Sequence, residues 1–217
     1  MSKVWMITGA GRGLGRAFVA EAVKNGDKVI ATVRKLNRND DLMKNENVLP
    51  VIMDVTKPDE IRNAVKAGVD KFSRIDILIN NAGFGMTGAF EEASDEELRF
   101  LMETYYFGVA NVIREVLPVM REQKDGMILN ISSQAGAMAF LGSTAYCSAK
   151  FDFEYHMEQG NYIQSKSFSS GFQDDERDHG YRHTDNTDIF HQFHTDLRYE
   201  QCAERAFHSG ACGLCDL

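Results

Sequence analysis

The chain has 217 residues, of which 43% are hydrophobic and 26% charged, a composition typical of a globular protein. Its 24 basic and 32 acidic residues give a net charge of −8, which argues against a nucleic-acid or acidic-membrane partner because binding to phosphates depends on clustered Lys and Arg. Apolar runs fall far short of the ~18 residues that a membrane-spanning helix needs, and four cysteines in this length form no disulfide framework, so we expect a reducing, cytoplasmic location.

Charged and apolar residues are distributed unevenly along the chain. Residues 1–150 hold 19 basic and 19 acidic residues, whereas residues 151–217 hold 5 basic and 13 acidic ones. Val, Ile and Leu number 34 in the first segment and 5 in the second. Even with Phe included, the second segment stays below the fraction of about one fifth under which a chain cannot bury a core. We therefore divide the chain into a domain over 1–150 and an acidic, His-rich tail over 151–217 that we expect to be disordered or aberrant.

Strands and helices alternate through residues 1–150. Short apolar runs that end at glycine or polar residues predict buried strands. Apolar residues at helical spacing predict helices between them, the longest over 94–124, which opens with a capping box of Ser94 and Glu97. This alternation predicts an α/β fold in which a doubly wound parallel sheet lies between two layers of helices. The predicted strands are 3–8, 28–33, 48–53, 75–80 and 127–131.

A glycine-rich loop follows the first predicted strand. It has the spacing T-G-x-x-x-G-x-G, and a helix begins directly after it. Glycines allow a tight turn and let backbone N–H groups approach a pyrophosphate at the positive end of the helix. A glycine cluster alone also occurs in plain turns, so the strand and helix on either side support the interpretation. The candidate dinucleotide-binding residues here are Thr8, Gly9, Arg12, Gly13, Leu14 and Gly15.

A tyrosine and a lysine near residue 150 form a candidate acid–base pair. Tyr146 and Lys150 are four residues apart at the start of a predicted helix and so share one face. A neighbouring ammonium group stabilises a phenolate, which would let Tyr146 exchange a proton near neutral pH. Ser133 lies thirteen residues before Tyr146, after the fifth predicted strand. Taken alone, these residues would more often be part of a surface helix and of a turn at a strand end than of an active site.

Five ordered motifs over residues 8–150 together resemble the short-chain dehydrogenase/reductase family. They are the glycine-rich loop, Asp54-Val55 after the third strand, Asn80-Asn81-Ala82-Gly83 after the fourth, Ile131-Ser132-Ser133 after the fifth, and Tyr146-Cys147-Ser148-Ala149-Lys150. The resemblance implies a Rossmann-like domain that binds NAD(P) and an enzyme that interconverts a carbonyl and an alcohol of a small molecule by hydride transfer.

The resemblance also implies roles for individual residues. Tyr146 would be the acid–base group, Lys150 its partner and the anchor of the cofactor ribose, and Ser133 the hydrogen-bond donor to the substrate oxygen. Asp54 and Val55 would lie near the adenine ring. The residues Asn81, Ala82 and Gly83 would line the cofactor.

The end of the second strand favours NADP(H) over NAD(H). Residues 31–35 contain no acidic side chain that could accept a hydrogen bond from a free ribose 2′-hydroxyl. Arg34 stands where it would meet a 2′-phosphate, and Arg12 fits the second basic contact of NADP-dependent family members. The alternative is that Arg34 and Lys35 are simply solvated.

One departure from the family pattern lies in the long helix. The family has an Asn three residues before a Gly, where it supports a water-mediated proton relay to the lysine. Here Tyr105 takes that place before Gly108. The family relay uses a backbone carbonyl, which Tyr105 still offers, but its larger side chain would displace the water, so we expect a slowed relay.

The larger departure follows Lys150. Pro118 is the last proline, so the Pro-Gly turn of the family is missing, and no run after residue 151 is as rich in Val and Ile as a buried parallel strand. We therefore expect the C-terminal strands to be missing, and the abrupt change favours a frameshifted or replaced tail, although a true variant tail is the alternative. The second functional hypothesis is accordingly a catalytically incomplete, dinucleotide-binding remnant of the family.

Two further expectations concern assembly and metals. Family dimers use the long helices beside the fifth strand, so a homo-oligomer is compatible with the sequence. A zinc site formed by His208, Cys212 and Cys215, with Cys202 nearby, would have only one well-spaced ligand pair. We therefore favour the alternative, in which these residues bind no metal.

Overall fold

A parallel sheet forms the middle layer of the protein. The structure is a computed structural model, and it describes residues 2–37, 40–158 and 165–168. The strands are β1 Val4–Ile7, β2 Lys28–Val33, β3 Val48–Ile52, β4 Ile77–Asn80, β5 Met127–Ile131 and β6 Ser165–Phe168. The helices are α1 Gly13–Lys24, α2 Pro58–Phe72, α3 Asp95–Met102, α4 Val109–Gln123 and α5 Thr144–Glu158. The strands pair in the order β3-β2-β1-β4-β5-β6, and all pairs are parallel.

Apolar side chains cover both faces of the sheet. Successive residues of a strand point to opposite faces, so Met6 of β1 belongs to the core cluster that includes Val112 of α4, while Ile7 belongs to the cluster that includes Phe18 of α1. Both Met6 and Ile7 are fully buried. A strand that is buried on both faces needs an unbroken apolar run, and this is why β1 and β4 could be recognised in the sequence. The predicted doubly wound α/β fold is confirmed.

The direction of winding reverses beside β1. The chain runs outward from β1 through β2 to β3 and then returns to β4 on the other side of β1. The carboxyl ends of β1 and β4 are therefore adjacent, and the loops that follow them diverge. In open α/β sheets this divergence creates the crevice in which ligands bind.

The predicted long helix over 94–124 is interrupted by a π-helical turn. Its capping box is confirmed, with Ser94 accepting a hydrogen bond from the Glu97 backbone and Glu97 accepting one from the Ser94 backbone. Between α3 and α4, residues Glu103–Gly108 form the π turn. The neighbouring residues Thr104 and Tyr105 are both buried there, so the turn directs two consecutive side chains into the protein.

The C-terminal edge of the sheet differs from the sequence expectation. The expectation that the C-terminal strands are missing is wrong for one of them, because β6 pairs with β5 from Ile128↔Ser165 to Ile131↔Phe168. An edge strand needs only backbone N–H and C=O groups facing its neighbour, so pairing does not require the Val and Ile density that identifies buried strands.

The proposed zinc residues lie outside the described residues, as does most of the tail. The division after Lys150 stays a prediction. In the described ranges, no helix is both long and apolar enough to cross a membrane.

Candidate active site

Thr8 connects the carboxyl ends of β1 and β4. It is 1% exposed, and its Oγ1 accepts hydrogen bonds from the backbone N–H groups of Asn81 and Ala82, each at 2.9 Å. The side-chain amide of Asn81 donates in return to the carbonyl oxygens of Thr8 at 2.9 Å and of Gly9 at 3.3 Å. These bonds hold the glycine-rich loop against the segment after β4. The structure thus brings two sequence-predicted groups of site residues to one edge of the sheet.

The glycines of the loop are required by the geometry. Gly9 has φ +67° and Gly13 has φ +52°, values that other residues rarely adopt. At Gly15, an added Cβ would lie 2.4 Å from the Gly9 carbonyl oxygen and 2.5 Å from Nδ2 of Asn81. Only glycine therefore lets the first turn of α1 approach the loop this closely.

The first turn of α1 is suited to an anion. The N-cap residue Arg12 makes no side-chain capping hydrogen bond, and the turn contains no acidic residue. The backbone N–H groups of Gly13, Leu14 and Gly15 lie at the positive end of the helix dipole, and the Leu14 side chain packs against the core cluster of α1. The residues present therefore fit a pyrophosphate.

Two exposed arginines flank this loop. Arg12 precedes α1 and Arg34 follows β2. The loop is attached to the end of β2, because the backbone N–H of Ala10 donates to the carbonyl oxygen of Thr32 at 2.9 Å. Arg12 and Arg34 therefore extend from neighbouring segments, which a shared contact to a 2′-phosphate requires.

A third arginine near the loop has an internal partner. Nη1 of Arg16 donates to Oδ2 of Asp40, whose side chain is 10% exposed. The hydrogen bond from Arg16 holds the pKa of Asp40 below its usual value. Arg16 thus neutralises a carboxylate of the protein, in contrast to the exposed Arg12 and Arg34.

Asp54 and Val55 follow β3 and stabilise the local chain. Oδ1 of Asp54 accepts hydrogen bonds from the backbone N–H and the hydroxyl of Thr56, both at 2.9 Å. Val55 is buried in the core, and an added Cβ at Gly108 would lie 3.0 Å from its Cγ2. Their contact with an adenine ring stays a prediction.

Lys150 is held at the carboxyl end of β5. It is only 5% exposed, and its Nζ donates a hydrogen bond to the carbonyl oxygen of Ile131 at 2.9 Å. The same Nζ lies 4.3 Å from the centroid of the Tyr105 ring. Helix α5 carries both Lys150 and Tyr146, so the two candidate acid–base residues come from one rigid element.

Tyr105 links the segment after β4 to this helix. Its hydroxyl accepts a hydrogen bond from the backbone N–H of Phe84 at 2.6 Å and donates one to the carbonyl oxygen of Phe84. Its ring meets the Tyr146 ring edge to face, with centroids 5.7 Å apart and an interplanar angle of 76°. Burial, followed by the nearby Tyr146, raises the pKa of the Tyr105 phenol above its ordinary value of 10.0, so this ring stays neutral.

Ser133 begins the short 3-10 turn Gln134–Gly136 after β5. Its Oγ accepts a hydrogen bond from the backbone N–H of Ala135 at 3.2 Å, and the turn packs against α5. The neighbouring Ser132 is 8% exposed, and its Oγ has no hydrogen-bond partner in the described part of the chain. The hydroxyl of Ser133 remains able to donate while its oxygen accepts.

Two features near the site were not expected from the sequence. Asn80 and Asn130 pair across β4 and β5, with Nδ2 of Asn80 donating to Oδ1 of Asn130 at 2.9 Å, and both are buried. The sequence feature that could have revealed this pair is Asn130, whose amide side chain interrupts the apolar run 127–131. The Ile131 carbonyl as the acceptor for Lys150 had no signal, because a backbone group has no sequence pattern of its own.

Comparisons with known proteins agree with this geometry. The family model of the short chain dehydrogenases matches residues 3–159. The protein "Oxidoreductase BOA17" of Botryotinia fuckeliana is 44% identical over 154 residues, which cover 70% of this chain and 56% of that protein. A solved short-chain dehydrogenase from Streptomyces avermitilis has a TM-score of 0.72 at 37% identity, covering 78% of this chain and 65% of that one.

A second solved structure holds a cofactor analogue. It is an alcohol dehydrogenase from the archaeon Thermococcus sibiricus in complex with 5-hydroxy-NADP, with a TM-score of 0.68 at 25% identity, covering 78% of this chain and 75% of that one. The present chain spans only 56%, 52% and 62% of the length of three curated relatives that it matches. The residues that the family model matches, 3–159, nevertheless include the glycine-rich loop, the segment after β4 and the Tyr146 and Lys150 positions. The chain therefore belongs to the short-chain dehydrogenase/reductase family of oxidoreductases.

Proposed function

We propose that this chain is an NADP(H)-dependent oxidoreductase that interconverts a carbonyl and an alcohol of a small molecule. The observation that supports this most is the placement of Lys150, whose ammonium group is buried at the carboxyl end of β5 on the helix that carries Tyr146. A buried cation beside a phenol stabilises the phenolate form that acid–base catalysis requires.

The proposed reaction assigns a proton transfer to Tyr146. In the reducing direction its phenol O–H donates a proton to the substrate oxygen, and in the oxidising direction the phenolate accepts one from the alcohol. Lys150 stabilises the phenolate by its positive charge, and Ser133 donates a hydrogen bond that positions the substrate oxygen. When bound, NADP(H) supplies or accepts the hydride.

The proposed cofactor contacts follow the edge formed by β1 and β4. The first turn of α1 would bind the pyrophosphate, and residues 81–83 would line the bound cofactor. Arg34 and Arg12 would bind the 2′-phosphate, since an arginine forms short charge-assisted hydrogen bonds with phosphate. The likeness to a dehydrogenase solved with 5-hydroxy-NADP supports this choice.

A groove at the start of α5 leads us to expect a small, uncharged substrate, although Tyr146, Lys150 and Ser133 are not among its lining residues. It has a volume of about 240 Å³ and reaches Ala145, the residue before Tyr146. Met86, Phe90 and Ala145 contribute apolar surface, whereas Glu92 and Glu97 contribute carboxyl groups. Because like charges repel, these carboxylates disfavour substrates that carry a carboxylate of their own.

The proposed function is tested with the purified full chain. NADPH is first titrated by its fluorescence, and its oxidation is then followed with a panel of small aldehydes and ketones, each paired with an analogue that carries a carboxylate. We expect NADPH binding and turnover that is faster with the uncharged member of each pair. Binding without turnover across the panel would instead favour a catalytically incomplete remnant, and absence of binding would contradict both hypotheses.

The cofactor preference has its own test in Arg34. Replacing Arg34 by Ala should raise the KM for NADPH roughly 10- to 100-fold, because a hydrogen bond to a charged group contributes about 1.5–3 kcal/mol. The KM for NADH should change less than threefold, since NADH has no 2′-phosphate. The matched control is Arg114→Ala on the exposed face of α4, which should leave both values unchanged. Equal losses for NADPH and NADH would show that Arg34 does not bind the 2′-phosphate.

A further inference from the structure

The contact between Lys150 and Tyr105 lies in a part of the protein from which water is nearly excluded. Lys150 is 5% exposed and Tyr105 is 4% exposed, and Nζ lies 4.3 Å from the ring centroid. The attraction between an ammonium group and the negative face of an aromatic ring is stronger when both are desolvated. The attraction between this ammonium group and the ring is therefore stronger than it would be at an exposed site.

The Tyr105 ring is itself held firmly. Its hydroxyl bonds to both the N–H and the carbonyl oxygen of Phe84, so rotation of the side chain would break two hydrogen bonds at once. The space above Gly83 is filled by the same ring, since an added Cβ there would lie 2.5 Å from the Tyr105 hydroxyl oxygen. A third constraint is the π turn at Glu103–Gly108, which directs the Tyr105 side chain into the protein.

We propose that Tyr105 is a positioning residue whose ring face fixes the Lys150 ammonium group at the carboxyl end of β5, on the helix that carries Tyr146. This inference rests on the proposed function, because the position of Lys150 matters to catalysis only if Tyr146 transfers the proton. The carbonyl oxygen of Ile131 accepts a hydrogen bond from the ammonium group, and the Tyr105 ring face lies 4.3 Å from the same nitrogen. Tyr105 touches neither the substrate nor the cofactor in this role; it acts through Lys150.

The test lowers the attraction of the ring face for a cation while the shape of the ring is kept. The reference variant is Tyr105→Phe, which retains the ring, and phenylalanines with one, two or three ring fluorines are then incorporated at position 105. Fluorine withdraws electron density from the ring face and so weakens its attraction for a cation. We expect kcat to fall stepwise along this series, by about tenfold in total, which corresponds to the 1.4 kcal/mol of a tenfold change. A purely structural role would leave kcat flat, because the ring volume hardly changes.

The matched control is the same series at Phe72, at the end of α2. Its ring also lies near ammonium groups, those of Lys28 at 5.6 Å and Lys71 at 5.2 Å, but it belongs to the helix layer away from the candidate site. Fluorination there should leave kcat unchanged. If kcat is flat at position 105, or falls equally at both positions, the proposal is wrong.

A second measurement separates this inference from the proposed function. In protein labelled with ¹³C-lysine, the ε-CH₂ signal of Lys150 is assigned by its loss in Lys150→Arg. Because the centroid of the Tyr105 ring lies 4.3 Å from Nζ, the ring current should shift the signal of the neighbouring ε-CH₂ protons upfield. This upfield shift should be present in the wild type and in Tyr105→Phe and should vanish in Tyr105→Leu. If the wild type shows no turnover, the proposed function fails, but an upfield signal still supports the Tyr105 contact and an unshifted signal overturns it.

Discussion

Replacing Tyr146 by Phe should reduce kcat by about 10²- to 10⁴-fold, the contribution of a positioned general acid, while the affinity for NADPH changes less than threefold. The substitution removes only the hydroxyl group. The ring that meets Tyr105 edge to face at 5.7 Å remains, so the helix and its packing are expected to persist. The loss should appear in kcat rather than in KM, because the proton is transferred in the transition state and not on binding.

The control for this prediction is Tyr106→Phe, which removes a hydroxyl from the neighbouring π turn. It should retain kcat within about twofold, since the hydroxyl of the half-buried Tyr106 has no part in the proposed proton transfer. Thermal unfolding of both variants verifies that each is folded. A Tyr146→Phe variant that keeps more than a tenth of the wild-type kcat would assign the acid–base role to another group.

Much of the fold could be predicted because the relevant patterns are local. A strand buried on both faces requires an apolar run, so β1, β2 and β4 were found close to their observed bounds. The glycines at 9 and 13 indicated a tight loop, and both have positive φ in the structure. The capping box at the start of α3 depends on residues three apart and was equally visible.

The remaining features depend on contacts between segments that are distant in the sequence. The partner of the Lys150 ammonium is a backbone carbonyl nineteen residues earlier, and the partner of the Tyr105 hydroxyl is the Phe84 backbone, twenty-one residues earlier. Neither has a side-chain pattern that a sequence could reveal. The strand β6 escaped prediction for a related reason, because its pairing uses backbone groups rather than apolar side chains.

The close approach of α1 to the glycine-rich loop makes Gly15 the position where the smallest change should have the largest effect on cofactor binding. A Cβ at Gly15 would lie 2.4 Å from the Gly9 carbonyl oxygen and 2.5 Å from Nδ2 of Asn81. The Gly9 carbonyl belongs to the backbone, and Asn81 is bonded to Thr8 and Gly9, so neither atom can move alone. Relief of the clash must therefore displace the loop that would bind the pyrophosphate.

For Gly15→Ala we expect the Kd for NADPH to rise at least about 100-fold, or ~2.7 kcal/mol, and the free energy of unfolding to fall by about 1–3 kcal/mol, the usual cost of overpacking. The matched control is Gly68→Ala, also inside a helix, where the added Cβ would lie 2.2 Å from Cδ1 of Ile30. Because that atom ends a flexible side chain in the core, Gly68→Ala should lower stability but leave the Kd for NADPH within twofold. Fluorescence titration and chemical denaturation of both variants separate the two effects. If Gly15→Ala lost stability alone, the first turn of α1 would not be the site of the phosphates; if both variants lost affinity equally, general destabilisation would be the cause.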